Sequence, residues 1–305
     1  MALFPVSIAV GILLWFLDTD LSVVSYFTIG TLVVTTLVLR VFSNAVQLIR
    51  VRSWAVSSLF IVLMALYAHL YSWDLHTMIA TQLFLIYNIG MLSSYQSHKP
   101  QVSTFIATVA LSLLTMYMPW LFVMVPISLL CSLTTLRTFS MRTLLAIVFG
   151  LLLPYEIFFS YYVYNDTLNA AFQYFVSTFH DFYIPFYSSG TSIQTFINNF
   201  SLSRTDLCLV HICVFGIIGI IHFLHTSFND KIRTRMHYIT IIIQWVVLLL
   251  LLFFTQGHSL LLVSMLTLCS SILLAHYFVF SKGLVANLIF WLFILSCFYL
   301  ALPVF

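Results

Sequence analysis

Apolar runs of about twenty residues follow one another along this chain, with gaps of only a few residues between most of them. At helical rise such a run matches the hydrocarbon thickness of a bilayer. Only 6% of the 305 residues are charged, 62% are hydrophobic, and the mean hydropathy is +1.11. Soluble domains carry about a quarter charged residues, so no water-soluble core hides this much apolar surface. In lipid every backbone polar group must bond within the protein, which makes helices the expected element. The expected fold is all-α: a polytopic transmembrane helical bundle in a single transmembrane domain over residues 1–305.

The start of the chain has neither a basic leader region nor a small-residue cleavage pattern, so Phe4 to Leu17 reads as the first span. Leu21 to Phe42, Ala55 to Trp73 and Thr77 to Tyr95 follow. Val102 to Leu133 is too long for one ordinary span and short for two. Pro119 lies near its middle, and proline removes a helical hydrogen bond and clashes with the preceding turn. The run is therefore read as a tight helical hairpin. Thr143 to Tyr164 closes a set of seven spans over residues 1–164. An aromatic loop over 165–206 precedes four more spans over 207–305: Leu207 to His225, His237 to Gln256, Leu260 to Phe280 and Leu284 to Pro303. The expected total is about eleven.

The hairpin makes the charges sort. Arg40, Arg50, Arg52, Lys99, Arg137, Arg142, Lys231, Arg233, Arg235 and Lys282 then share the side of the N-terminus, and only Arg204 lies opposite. Asp18, Asp20, Asp74, Glu156, Asp166, Asp181 and Asp206 fall on the other side, with Asp230 the exception. Basic loops stay cytoplasmic, so the N-terminus is expected to be cytoplasmic and the aromatic loop extracytoplasmic.

Three groups of residues could carry chemistry. The first is the acidic outer rim. Carboxylates from several loops of one face could converge as a general base or on a substrate, and Asp18, Asp20 and Glu156 are the catalytic candidates. Glu156 stands between apolar residues in LLLPYEIFF, where an ionised carboxylate is costly unless paired. The plainer reading is that loop acids are solvated or cap helices. The second group is a stripe of His211, His222 and His225 on one helical face, a candidate proton path or ligand set. Histidines near headgroups, with no chemical role, are the plainer alternative there. The third is the aromatic loop. Phe172, Phe175, Phe179, Phe182 and Tyr183 recur at helical spacing, with Asn169, Gln173, Ser177 and Asp181 between them. This pattern predicts an amphipathic helix in the outer interface that contacts lipid or a lipid-linked substrate, or simply anchors the loop.

The five cysteines, Cys131, Cys208, Cys213, Cys269 and Cys297, sit in apolar runs without metal-type spacing and read as small hydrophobes. No metal and no cofactor is implied. The absence of Walker A, GxSxG, HExxH and CxxCH motifs disfavours ATP-driven transport, serine hydrolysis, zincin chemistry and c-type haem. There is no basic face to neutralise phosphates, so no nucleic-acid partner is expected. Membrane lipids and other membrane proteins are the expected partners, the latter on the aromatic loop.

The stretch LTTLRTFSMRTLLAIVFGLLLPYEIFF carries Arg137, Phe139, Ser140 and Arg142 in the loop, then Gly150, Leu151, Pro154 and Tyr155. It resembles a family of uncharacterised polytopic inner-membrane proteins from Bacteroidota, over about a third of the chain. That resemblance implies the bacterial inner membrane. The general plan is similar to that of GT-C type glycosyltransferases, in which an acid of the first outer loop acts as base; Asp18 or Asp20 would occupy that place. The first outer loop is about three residues here, against a long one in that class.

Three functional expectations follow. The leading one is an accessory or structural subunit of a cell-envelope complex. The alternatives are an enzyme or carrier acting on lipid-linked glycans at the extracytoplasmic face, and a proton-coupled transporter.

Overall fold

The computed structural model describes residues 23–51, 53–71, 74–169, 172–173, 176–177, 204–254 and 260–301. Among these there are ten α-helices and no strand. In chain order they are α1 (Val23–Ala45), α2 (Ala55–Tyr71), α3 (Leu75–Ser93), α4 (Pro100–Tyr117), α5 (Met124–Thr134), α6 (Met141–Tyr164), α7 (Arg204–Thr226), α8 (Ile232–Phe254), α9 (Leu260–Phe280) and α10 (Leu284–Ala301). Short 3-10 turns at Pro119–Val123 and Ser227–Asn229 link α4 to α5 and α7 to α8.

Each helix corresponds to one expected span; the first expected span, Phe4 to Leu17, lies outside the described residues. The expected count of about eleven nevertheless requires correction. Seven described helices are long and apolar enough to cross a membrane: α1, α3, α4, α6, α7, α8 and α9. The remaining three carry shorter apolar stretches, Ala55–Tyr67, Pro119–Thr134 and Leu284–Leu300. The reason is clearest at the expected hairpin. Pro119 does break the run, but α5 is only 11 residues long. It rises about 17 Å, little more than half of a ~30 Å hydrocarbon core.

Local signals explain the helix boundaries. Pro100 opens α4, where its missing N–H costs nothing. Ser140 caps α6: its Oγ accepts from Thr143 N–H while Thr143 Oγ1 accepts from Ser140 N–H. Asp74 Oδ1 accepts from the Thr77 N–H (3.0 Å) and hydroxyl at the start of α3. Within the apolar helices, hydroxyls of Thr35, Thr36, Thr104, Thr108, Thr240 and Thr267 donate to carbonyls three or four residues back. These bonds within the helix satisfy the hydroxyls of polar residues that sit in an apolar segment.

The described residues form two compact units, with boundaries inside α3 (Gln82/Leu83) and α8 (Leu248/Leu249). The first contains α1, α2, the start of α3, α7, most of α8, α9 and α10. Its centre is α9, where every residue from Leu261 to Tyr277 is buried. A helix apolar all round has no face for solvent and belongs inside. α2 and α7 pack against it. At Gly219 of α7 a Cβ would stand 2.8 Å from the Leu273 carbonyl carbon, so only glycine permits this approach.

The second unit is built on α4 against α6. A Cβ on Gly150 would fall 2.1 Å from Thr108 Oγ1 and 2.9 Å from the Phe105 carbonyl oxygen. Four residues on, Pro154 lies inside α6. Ser112 donates to the Leu151 carbonyl at 2.7 Å, and the Thr115 and Tyr155 hydroxyls are 3.0 Å apart. The Gly-Leu-x-x-Pro-Tyr pattern thus describes the face that α6 presents to α4.

Candidate functional site: a buried Arg50–Asp230–His276 cluster

The first unit gathers an ionisable cluster where three connections meet. Arg50 comes from the segment joining α1 to α2, Asp230 from the turn between α7 and α8, and His276 from the last turns of α9. Arg50 Nε donates to Asp230 Oδ1 at 2.8 Å, and His276 Nε2 lies 3.1 Å from Asp230 Oδ2. The Asp230 and His276 side chains are each 1% exposed, against 40% for Arg50. The carboxylate is therefore held out of water while its guanidinium partner reaches solvent.

A carboxylate only accepts, so His276 donates from Nε2. Its Nδ1 is buried and has no hydrogen-bond partner among the described residues, and the same holds for Nδ1 of His222, whose ring centroid lies 5.5 Å from that of His276. Aromatic rings enclose the pair: Tyr238 and Phe280 lie 5.0 and 4.9 Å from His276, and Phe223 stacks on Tyr238 at 4.8 Å. The Tyr238 hydroxyl and both amide atoms of Gln244 on α8 are likewise buried without partners. Such groups cost about 1–3 kcal/mol each when left unbonded. A seam of polar atoms that accept this cost inside an apolar unit is a place where water or a proton can be held.

The predicted site residues are distributed as follows. Asp18 and Asp20 lie outside the described residues, as do Phe175, Phe179, Phe182 and Tyr183. Glu156 is exposed on α6 and has no ion pair with a described residue. Its neighbours Pro154 and Tyr155 turn toward α4, which leaves the adjacent position, about 100° round the helix, on the outside. Asp74 is a helix cap, Asp166 is exposed just past the end of α6, and Asp206 is buried in the first turn of α7. Phe172 is helical and exposed.

The three histidines do not act as one line. His225 is exposed, and His222 joins the cluster described above. His211 is buried elsewhere, three turns away along α7. Its Nδ1 lies 2.6 Å from the Tyr67 hydroxyl and its Nε2 3.0 Å from Ser296 Oγ. Ser296 donates its own hydrogen to the Phe293 carbonyl, so His211 donates from Nε2 and accepts at Nδ1 from Tyr67. Both ring nitrogens are satisfied, which makes His211 a structural link between α2, α7 and α10.

Sequence reasoning passed over Asp230, although one signal pointed to it. It is the lone carboxylate on the basic side, between Asn229 and Lys231. Among the described residues no group of three His, Cys, Asp or Glu could hold a metal ion. The five cysteines are free.

Fold and site together define a class: an all-α polytopic protein, with seven helices suited to a membrane and an ionisable cluster buried at one end of a helical unit. The chain belongs to a family of unknown function, DUF6427, whose model matches residues 2–303. No curated protein and no solved structure matches it.

Proposed function

We propose that this chain is a proton-coupled membrane transporter, with Asp230 and His276 as its proton-binding pair. The observation that carries the reading is the Asp230 carboxylate, 1% exposed and shared between Arg50 and His276. Ionisable side chains inside membrane proteins mark ion and proton pathways more often than they serve stability. The unbonded Nδ1 atoms of His276 and His222 are positions that a proton can take up next. The Tyr238 ring stands 5.0 Å from that of His276, and its buried hydroxyl is a further polar atom beside the pair. Among the described residues Arg50 is the only arginine or lysine bonded to Asp230.

The reading puts the activity in the bacterial inner membrane, the membrane that the sequence resemblance implies, with the Arg50 end cytoplasmic as the distribution of basic residues expects. The accessory-subunit reading rests on a partner covering the aromatic loop, most of which lies outside the described residues. Action on lipid-linked glycans rests on Asp18, Asp20 and Glu156; the exposure of Glu156 does nothing to favour it.

The test is proton flux into proteoliposomes under an imposed gradient, followed with a trapped pH dye. Asp230→Asn keeps the shape and can still accept from Arg50, but its amide nitrogen cannot accept from His276 Nε2 and it cannot exchange a proton. It should lower the flux at least about tenfold, the size expected for loss of a proton-transfer group. Wild-type protein that passes no protons, or folded D230N that passes them at the wild-type rate, would end the proposal.

A further inference from the structure

A groove with a volume of about 950 Å³ opens in the first unit between α1, α2, α9 and α10. Its two ends differ in chemistry. Arg40 and Asn44 near the end of α1, with Ser53 and Trp54 ahead of α2, form a polar mouth. Phe278 of α9 and Phe290 and Phe293 of α10 form an apolar wall. The Arg40 guanidinium carbon stands 3.7 Å from the centre of the Trp54 ring, an arrangement that holds the cation at the mouth. Among the described residues no acidic one lines the groove. Ser58 Oγ, on its α2 side, has no hydrogen-bond partner among them.

We propose that this groove binds an anionic membrane lipid, with the headgroup phosphate on Arg40 and an acyl chain along Phe278, Phe290 and Phe293. Three observations select this occupant. The charge that the described residues bring to the lining, Arg40, is positive, so an anion is favoured and a cationic amphiphile repelled. Arginine beside tryptophan at a helix end is the chemistry of the headgroup level. The wall extends inward on α10 as far as Ile294, which lies ten residues past Leu284. That is about 15 Å of rise, roughly the hydrocarbon depth of one leaflet. The volume is at the upper end of what a bound small molecule needs, about 300–1,000 Å³. A free anion would leave the phenylalanine wall unused, so a lipid and not inorganic phosphate is the ligand.

Purified full-length protein in mixed micelles, titrated with phosphatidylglycerol or phosphatidylcholine of identical acyl chains, tests this by native mass spectrometry. Wild-type protein should retain phosphatidylglycerol about tenfold more tightly, the difference that one charge-assisted bond supplies. Arg40→Gln should abolish the preference and leave the acyl-chain contribution. Ala55→Trp, which fills the groove from α2, should displace both lipids, and it decides the matter if R40Q does not fold. Equal binding of the two lipids by wild type overturns the proposal. So does preference retained in folded R40Q, undiminished binding in A55W, or competition by millimolar inorganic phosphate. None of these outcomes depends on proton flux, so the groove and the Asp230 cluster stand or fall separately.

Discussion

At the residue scale, hydrogen-bond satisfaction separates the histidines. His211 has both nitrogens bonded and a fixed tautomer, whereas His276 and His222 each keep an unbonded Nδ1. Removing one partner of His211 leaves a buried acceptor unmet. Tyr67→Phe should therefore lower stability by about 1–3 kcal/mol, read as a shifted midpoint in denaturant titration of the detergent-solubilised protein. His225→Ala, at an exposed position, should move the midpoint by less than about 0.5 kcal/mol. Comparable losses in the two variants would show that burial does not distinguish them. Asp230→Ala removes the acceptor shared by two groups. The guanidinium it orphans reaches solvent, so it should shift the same midpoint less than Arg50→Ala, which strands a buried carboxylate and should cost about 3 kcal/mol.

At the scale of elements, close packing depends on absent side chains. α7 meets α9 at Gly219, and α4 meets α6 at Gly150, in both cases at distances no Cβ tolerates. Without a hydrophobic force between helices in lipid, close backbone approach through small residues is a main source of association. Gly219→Ala presses on the Leu273 backbone, which cannot swing aside as a side chain would. It should destabilise by about 1–3 kcal/mol, visible as a lower melting temperature in the same detergent. An unchanged melting temperature would mean that α7 shifts freely along α9. The words Gly150, Leu151, Pro154 and Tyr155, which carried the resemblance, are explained at this scale. They shape the α4–α6 contact and have no need of a chemical role.

At the scale of the whole molecule, membrane orientation follows from the loops. Arg50, Asp230 and the end of α9 are brought to one end of the first unit by direct contact. The charge rule expects these three connections on one side of the membrane. Single cysteines introduced at Phe228 and at Lys282, both exposed, should therefore react with an impermeant thiol reagent from the same side of the membrane. The charge rule expects a cysteine at Asp166 to react only from the opposite side. Labelling of Phe228 and Lys282 from different faces would dismantle the topology.

What the sequence by itself determined is the class and the run of helices. Apolar length, proline and capping residues act over a few residues, so α4, α6 and their boundaries are legible without a fold. The ten described helices correspond one to one with expected spans for that reason. Composition counts apolar residues but not helix rise, which is why α5 was expected to cross and falls short. The site was a matter for tertiary structure alone. In a linear reading Glu156, between apolar residues, looks the costlier charge, and Asp230, between Asn229 and Lys231, looks solvated. Only packing turns one outward on α6 and encloses the other between Arg50 and His276, residues 180 and 46 positions away. Cost in a bilayer depends on what surrounds a charge, and neighbours that distant in the chain leave no mark on its local pattern.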